Sequence, residues 1–415
     1  MPPNRFLFIL PVFLVMACQS TSSSDSLILK ILENRGKVVD QILSDPEAYE
    51  VQILYTQIDR DSLNHPHFTS YAYRVKDDTY FYPASTVKFP AAVLALEKIR
   101  SLNIAQLRPD TPMLTDSAFT GQTVVREDTS AENGLPSIAH YIKKILLVSD
   151  NDAFNRLYEF LGQKEMNHAL WQKGHDKLRI IHRLSVFQSQ EQNRHTNPIR
   201  FVKEGDLIYQ QGLVVNDMPI PLPSSIPRGV GYMRGGELQQ EPMDFASKNF
   251  FPLREQQAIL RSVLFPESVE PHQRFELSDR DYTFLYQYLS QLPSETNWPQ
   301  YDPEHYYDGY VKFFLFGDST APIPPNIRIF NKVGDAYGTL TDNAYIVDFG
   351  TGIEFLLSAT VFVNQNQIFN DDTYEYDSLG FPFMAEVGRA FYEYELQRTR
   401  QRTPDLSCFQ LTYDK

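Results

Sequence analysis

Residues 82–90, Tyr82-Pro83-Ala84-Ser85-Thr86-Val87-Lys88-Phe89-Pro90, decide how this chain is read. The segment opens an apolar run with helical pattern over 89–99, and Pro90 falls early in it, where a helix tolerates proline best. Ser85 and Lys88 are three residues apart, so a helix places them on one face as near neighbours. At a helix start the serine also lies beside unpaired backbone N–H groups, which favour developing negative charge. A lysine buried there gives up its proton readily, and its amine can then accept the serine's. By itself the pair is equally compatible with an ordinary helix start.

Working outward, apolar residues over 27–43 predict one amphipathic helix, and 50–59 and 68–74 read as strands rich in Val, Ile, Tyr and Thr. Downstream, Ser137 has the place of an N-cap. A helical pattern follows it and ends at Ser149-Asp150-Asn151, and a second runs from there to Gly162. Helices are expected at 253–264 and 278–292, the second opened by the capping-box pattern Ser278-x-x-Asp281. Strands are expected at 327–333, 344–349 and 354–364, then a helix over 383–400. This order predicts an α/β (α+β) sandwich, an antiparallel sheet flanked by helices with a mainly helical subdomain inserted at about 86–200.

Ser85-x-x-Lys88, Ser149-Asp150-Asn151 and Lys332-Val333-Gly334 stand in that order, the first two 64 residues apart. The set resembles that of class A β-lactamases and penicillin-recognising serine hydrolases, whose motifs are Ser-x-x-Lys, Ser-Asp-Asn and Lys-Thr-Gly. The resemblance implies that Ser85 is the acylated nucleophile, Lys88 its general base and Ser149 a proton relay to the leaving group. It implies further that Asn151 holds the substrate amide and that Lys332, with Gly334 beside it, attracts a substrate carboxylate. The oxyanion hole would be the backbone N–H groups of Ser85 and Asp335.

Two positions depart from the pattern. Val333 stands where the family usually has a hydroxyl that helps bind the substrate carboxylate. The family's water-activating glutamate, aligned on Arg183-Leu184, falls on Gln188, which cannot act as a base; Glu191 is the rival candidate for that role. The 183 residues between Ser149 and Lys332 exceed the spacing of a compact β-lactamase. The extra material lies mostly at about 201–252 and 295–325, rich in Tyr, Phe and Pro, and is expected either to roof the site or to cover a sheet edge. Asp371, Asp372, Glu375 and Asp377 lack the glycine and spacing of a calcium loop and read as a solvated loop.

The 415 residues, 42% hydrophobic, are enough for one large core or two moderate ones. A net charge of −14 excludes a nucleic-acid partner in the usual basic-surface sense. Arg5 followed by the short apolar run 6–16 reads as a signal peptide over 1–18, and Cys18 after Ala17 resembles a bacterial lipobox. The expectation is a lipid anchor on Cys18, a polar tether at 19–26, a hydrolase domain over 27–400 and a tail at 401–415. Such a protein is exported to the bacterial cell envelope and bound to membrane through its lipid. The expected activity is acyl-enzyme hydrolysis of a β-lactam or related amide, with no cofactor and no metal. The alternatives are a D-alanyl-D-alanine peptidase acting on peptidoglycan, and a catalytically weak envelope-binding lipoprotein. Oligomeric state is left open.

Overall fold

The computed structural model describes residues 23–415. The expected signal peptide, Cys18 and the first part of the tether lie outside the described residues. Five strands form the main sheet: β1 (Gln52–Arg60), β2 (Pro66–Tyr73), β3 (Ile327–Ala336), β4 (Thr339–Asp348) and β5 (Ile353–Phe362). They are ordered β3-β4-β5-β1-β2, and every neighbouring pair is antiparallel. Side chains alternate between faces along a strand. In β4, Ala344 and Ile346 enter one core while Tyr345 and Val347 enter the other. Both faces of this antiparallel sheet are therefore covered, and β4 is buried along its whole length.

On one face lie the helices Lys88–Ser101, Ile138–Val148, Asn151–Leu161, Leu253–Leu264 and Asp279–Ser290. The first is buried almost all round, and Ala91, Ala92 and Ala95 let its neighbours approach closely. The opposite face is covered by Ser23–Ile31, Lys37–Ser44 and Phe381–Gln397. The expected caps are present: Ser137 Oγ accepts from His140 N–H, and Ser278 with Asp281 forms the reciprocal capping box.

Three expectations are corrected. The single helix expected at 27–43 is two, broken where Asn34 (φ 60) and Gly36 (φ 102) take the left-handed conformation that ends a helix. The tether is shorter than 19–26, because the first helix starts at Ser23 and the Ser24 hydroxyl bonds both backbone groups of Ala72. The segment 401–415 is no free tail: Phe409 is buried against Phe265, Phe330 and Tyr345, and Tyr413 stacks under Arg328. The apolar content of these residues keeps them in the domain.

The two insertions have different structures. Residues 201–252 carry short strands, among them Gly231–Arg234, which pairs with Glu237–Gln239 and, in parallel, with Ile368–Phe369. Within 295–325, Val311, Phe313, Phe314 and Leu315 join the second core. Lys312 is buried beside them, donating to the carbonyls of Leu289 and Ile329 and to Asn331 Oδ1, and so ties this insertion to β3.

Candidate active site

Ser85 stands in a 3-10 turn, Ala84–Val87, that runs straight into the helix Lys88–Ser101. Ala84 before it has φ 47, a left-handed conformation that costs a residue with a Cβ about 1–3 kcal/mol and persists only where the surroundings impose it. They do so here through β3. A Cβ at Gly334 would stand 2.7 Å from Pro83 O and 2.9 Å from Ser85 N. Only glycine lets the edge strand lie directly on the serine turn, and that approach brings the backbone of Asp335 alongside Ser85.

Lys88 is fully buried under this turn, and its Nζ donates to Ser149 O and, at 3.2 Å, to Ser149 Oγ. From the other side Lys332 Nζ donates to Ser149 Oγ at 2.8 Å and to Val333 O at 2.8 Å. Burial, reinforced by Lys332 nearby, holds the Lys88 ammonium well below the usual lysine range. Burial likewise brings Lys332 down to about 7. Two amines converging on one hydroxyl in a dry site do not both carry a full proton at neutral pH, because like charges at that range repel.

Ser149 can stand between them because the chain changes direction there. It ends the helix Ile138–Val148 with φ 61, and Asp150 at once caps the helix Asn151–Leu161 by accepting from Ala153 N–H (2.7 Å). Asn151 then opens onto the cleft and donates to Ser185 Oγ at 2.8 Å. Ser185 belongs to a loop fastened by Arg183. That guanidinium is buried against Glu159 (3.1 Å) and also donates to Gln188 Oε1, Gln192 O, His195 O and Asn197 Oδ1.

The structure thus brings Ser85, Lys88, Ser149, Asn151, Lys332, Gly334 and Asp335 together. It does not bring Glu191 to them. Glu191 lies exposed in the short helix Gln190–Arg194 and lines no part of the cleft over Ser85. Gln188 is likewise committed elsewhere, bonded to Arg183 and to Gly121 O (3.0 Å). Val333 does not face the cleft either: it is buried in the second core, which also contains Val311 and Phe313 of the 295–325 insertion.

The cleft above Ser85 has a volume of about 600 Å³. Its rim includes side chains that the motifs did not reveal. Tyr82, Tyr337, Tyr374 and Tyr376 line it together with Asn370 and Asp372. Tyr337 and Gly338 form the two-residue turn between β3 and β4, both with positive φ, the geometry of a type I′ hairpin. A tyrosine is unusual there, and it is held by edge contacts with Tyr82 (4.9 Å) and Phe245 (5.3 Å). Its position after the Lys-x-Gly strand was the one sequence clue to this rim. Asp372, read from the sequence as part of a solvated loop, is exposed and also lines the cleft, with Asn370 beside it.

The site thus combines a serine-bearing turn, two buried amines and a hydroxyl between an antiparallel sheet and a helical subdomain. Residues 37–218, somewhat under half the chain, match the model of the β-lactamase enzyme family. The matched stretch contains the first two motifs but not Lys332-Val333-Gly334. Among solved structures the chain is similar to a β-lactamase from Sphaerobacter thermophilus, at 13% identity and TM-score 0.48, covering 90% of this chain and 98% of that one. It is similar also to one from Xanthomonas campestris, at 14% identity and TM-score 0.45, covering 89% and 98%. A third, from Desulfarculus baarsii, has 13% identity and TM-score 0.48, covering 90% and 99%. No curated protein matches the chain.

Proposed function

We propose that this protein hydrolyses an ester or amide through an acyl-enzyme on Ser85. The observation that carries the reading is the convergence of Lys88 and Lys332 on Ser149 beneath the Ser85 turn. Neutral Lys88 takes the Ser85 proton as Oγ attacks the carbonyl carbon. The N–H groups of Ser85 and Asp335 stabilise the oxyanion, and Ser149 hands the proton to the leaving group. With Gln188 and Glu191 both away from the nucleophile, Lys88 serves as base for water in the second half-reaction too. A group shared by both steps is not optimised for the second, so the acyl-enzyme is long-lived. Penicillin should acylate slowly, because Val333 offers the substrate carboxylate no hydroxyl. A lost hydrogen bond to a charged group is worth about 1.5–3 kcal/mol, or roughly 10- to 150-fold in rate.

Intact-protein mass spectrometry after incubation with a fluorophosphonate, nitrocefin and a peptidoglycan stem peptide tests the assignment. One adduct on wild type and none on Ser85→Ala is expected; labelling that survives the substitution removes Ser85 from the mechanism. We propose also, from the lipobox-like residues alone, that Cys18 carries lipid and holds the domain at the cell envelope. Cys18→Ser should then release the protein from membranes, and unchanged fractionation would refute the anchor.

A further inference from the structure

The rim of the Ser85 cleft differs in charge from its floor. Its lining contains two carboxylates, Asp335 and Asp372, and no cationic side chain. The lysines of the floor are buried and committed to Ser149, so neither ammonium is presented to the cleft. Lys248 Nζ lies over the Tyr337 ring, 5.8 Å from its centroid, and occupies that face of the ring, although Lys248 itself lines a different cavity. Among the described residues neither Asp335 nor Asp372 is in a salt bridge; Lys332 and Lys88 lie close enough to offset the charge of Asp335, which leaves Asp372 as the rim carboxylate with no cation in the cleft lining.

Four tyrosine rings share that rim, and Tyr374 is fixed over it by its Oη, which accepts from the Asn370 N–H of the same loop at 2.8 Å. Ring faces attract cations, and carboxylates at the same rim attract them further. Val333 removes the remaining feature that would favour an anion, since its side chain is sealed in the core. We propose that the natural substrate of this site is an ester or amide bearing a positively charged amine, and that Asp372 with the rim tyrosines selects it. This rests on the acyl-transfer reading above. The chemistry balances as hydrolysis: the Ser85 Oγ–acyl bond forms as the substrate's acyl–heteroatom bond breaks, the leaving group departs with the serine proton, and water regenerates Ser85 and releases the acid.

The test uses para-nitrophenyl esters of three acids of matched size, ending in trimethylammonium, tert-butyl or sulfonate. The expected order of kcat/KM is cationic, neutral, anionic, each step about fivefold to tenfold, the scale of one cation–π contact or one half-screened charge pair. Asp372→Asn should lower the cationic ester's advantage over the neutral ester several-fold. Equal rates for the three, or preference for the sulfonate, would overturn the proposal while leaving Ser85 acylation standing. If not even the neutral ester acylates Ser85, the hydrolase reading itself fails. Calorimetric titration of Ser85→Ala with the three free acids then decides the cation preference separately, tighter binding of the ammonium acid supporting it and equal or weaker binding refuting it.

Discussion

The floor and the rim of the cleft are built on opposite principles. The floor is polar but sealed: Lys88 and Lys332 are buried, and their hydrogen bonds converge on Ser149. The rim is open and assembled from distant pieces, with Ser185 from the loop pinned by Arg183, Tyr337 from the β3–β4 turn, and Asp372 and Tyr374 from the loop after β5. On the proposed reading the floor supplies the groups for acyl transfer, whereas the rim lining has no cationic side chain to attract a carboxylate. If that reading holds under test, reaction type and substrate choice are separable, because different segments supply the floor and the rim.

The comparison breaks most readily at Lys88. Lys88→Met should slow Ser85 acylation by about 10²–10⁴-fold, the range of a positioned general base, without changing the order of preference among charged esters. Single-turnover kinetics check both halves, and a changed preference would mean that floor and rim are not independent.

The loop under the rim is tested by Arg183→Met. It leaves Glu159 buried with Arg156 as its remaining ion-pair partner, where burial already raises the carboxyl's pKa. Removing one partner of a buried ion pair typically costs 3–5 kcal/mol. Urea unfolding should show a loss of that order, and the loosened Ser185 loop should weaken substrate binding before it affects chemistry.

A smaller effect concerns Lys332. Its pKa falls from 10.5 in the unfolded chain to about 7 in the folded one, through burial. The folded state therefore binds this proton less tightly than the unfolded state. The resulting penalty is absent above pH 10.5, grows as pH falls toward 7 and is complete below that. Lys332→Met should raise the melting temperature most near pH 6, by a gain on the order of 1–4 kcal/mol that vanishes toward pH 10.5. It should also move the acidic limb of the acylation profile to higher pH, because Lys332 no longer depresses Lys88. A stability gain that does not depend on pH would show that folding leaves the Lys332 pKa unshifted.

The smallest expected effect is none. Glu191→Gln should leave deacylation unchanged within error, since Glu191 lies outside the cleft. Loss of turnover in this variant would bring Glu191 back as the water-activating base and show that its loop folds inward in the acyl-enzyme.

Much of the floor was legible in the sequence. Ser85 and Lys88 are one helical turn apart, the Ser149-Asp150-Asn151 junction announces a helix end and a new cap, and Gly334 follows a lysine on a strand. The sheet was legible too, since β-branched and aromatic runs fix strands wherever both faces are buried. Local pattern alone could not show that 27–43 breaks at Gly36, because a single glycine is tolerated in many helices. Nor could it show that 401–415 packs home, since burial of Phe409 depends on a site formed by Phe265, Phe330 and Tyr345.

The sequence by itself therefore determined the sheet, the helical subdomain and the order of the chemical groups, all of which rest on spacings of a few residues. Only the tertiary structure decided that Val333 is buried in the core that the 295–325 insertion joins, that neither Glu191 nor Gln188 lines the cleft over Ser85, and that Asp372 and the rim tyrosines line one cleft with Asp335. These facts depend on contacts between segments far apart in the chain. No periodicity encodes such contacts, because they are fixed by where the sheet and its insertions come to rest.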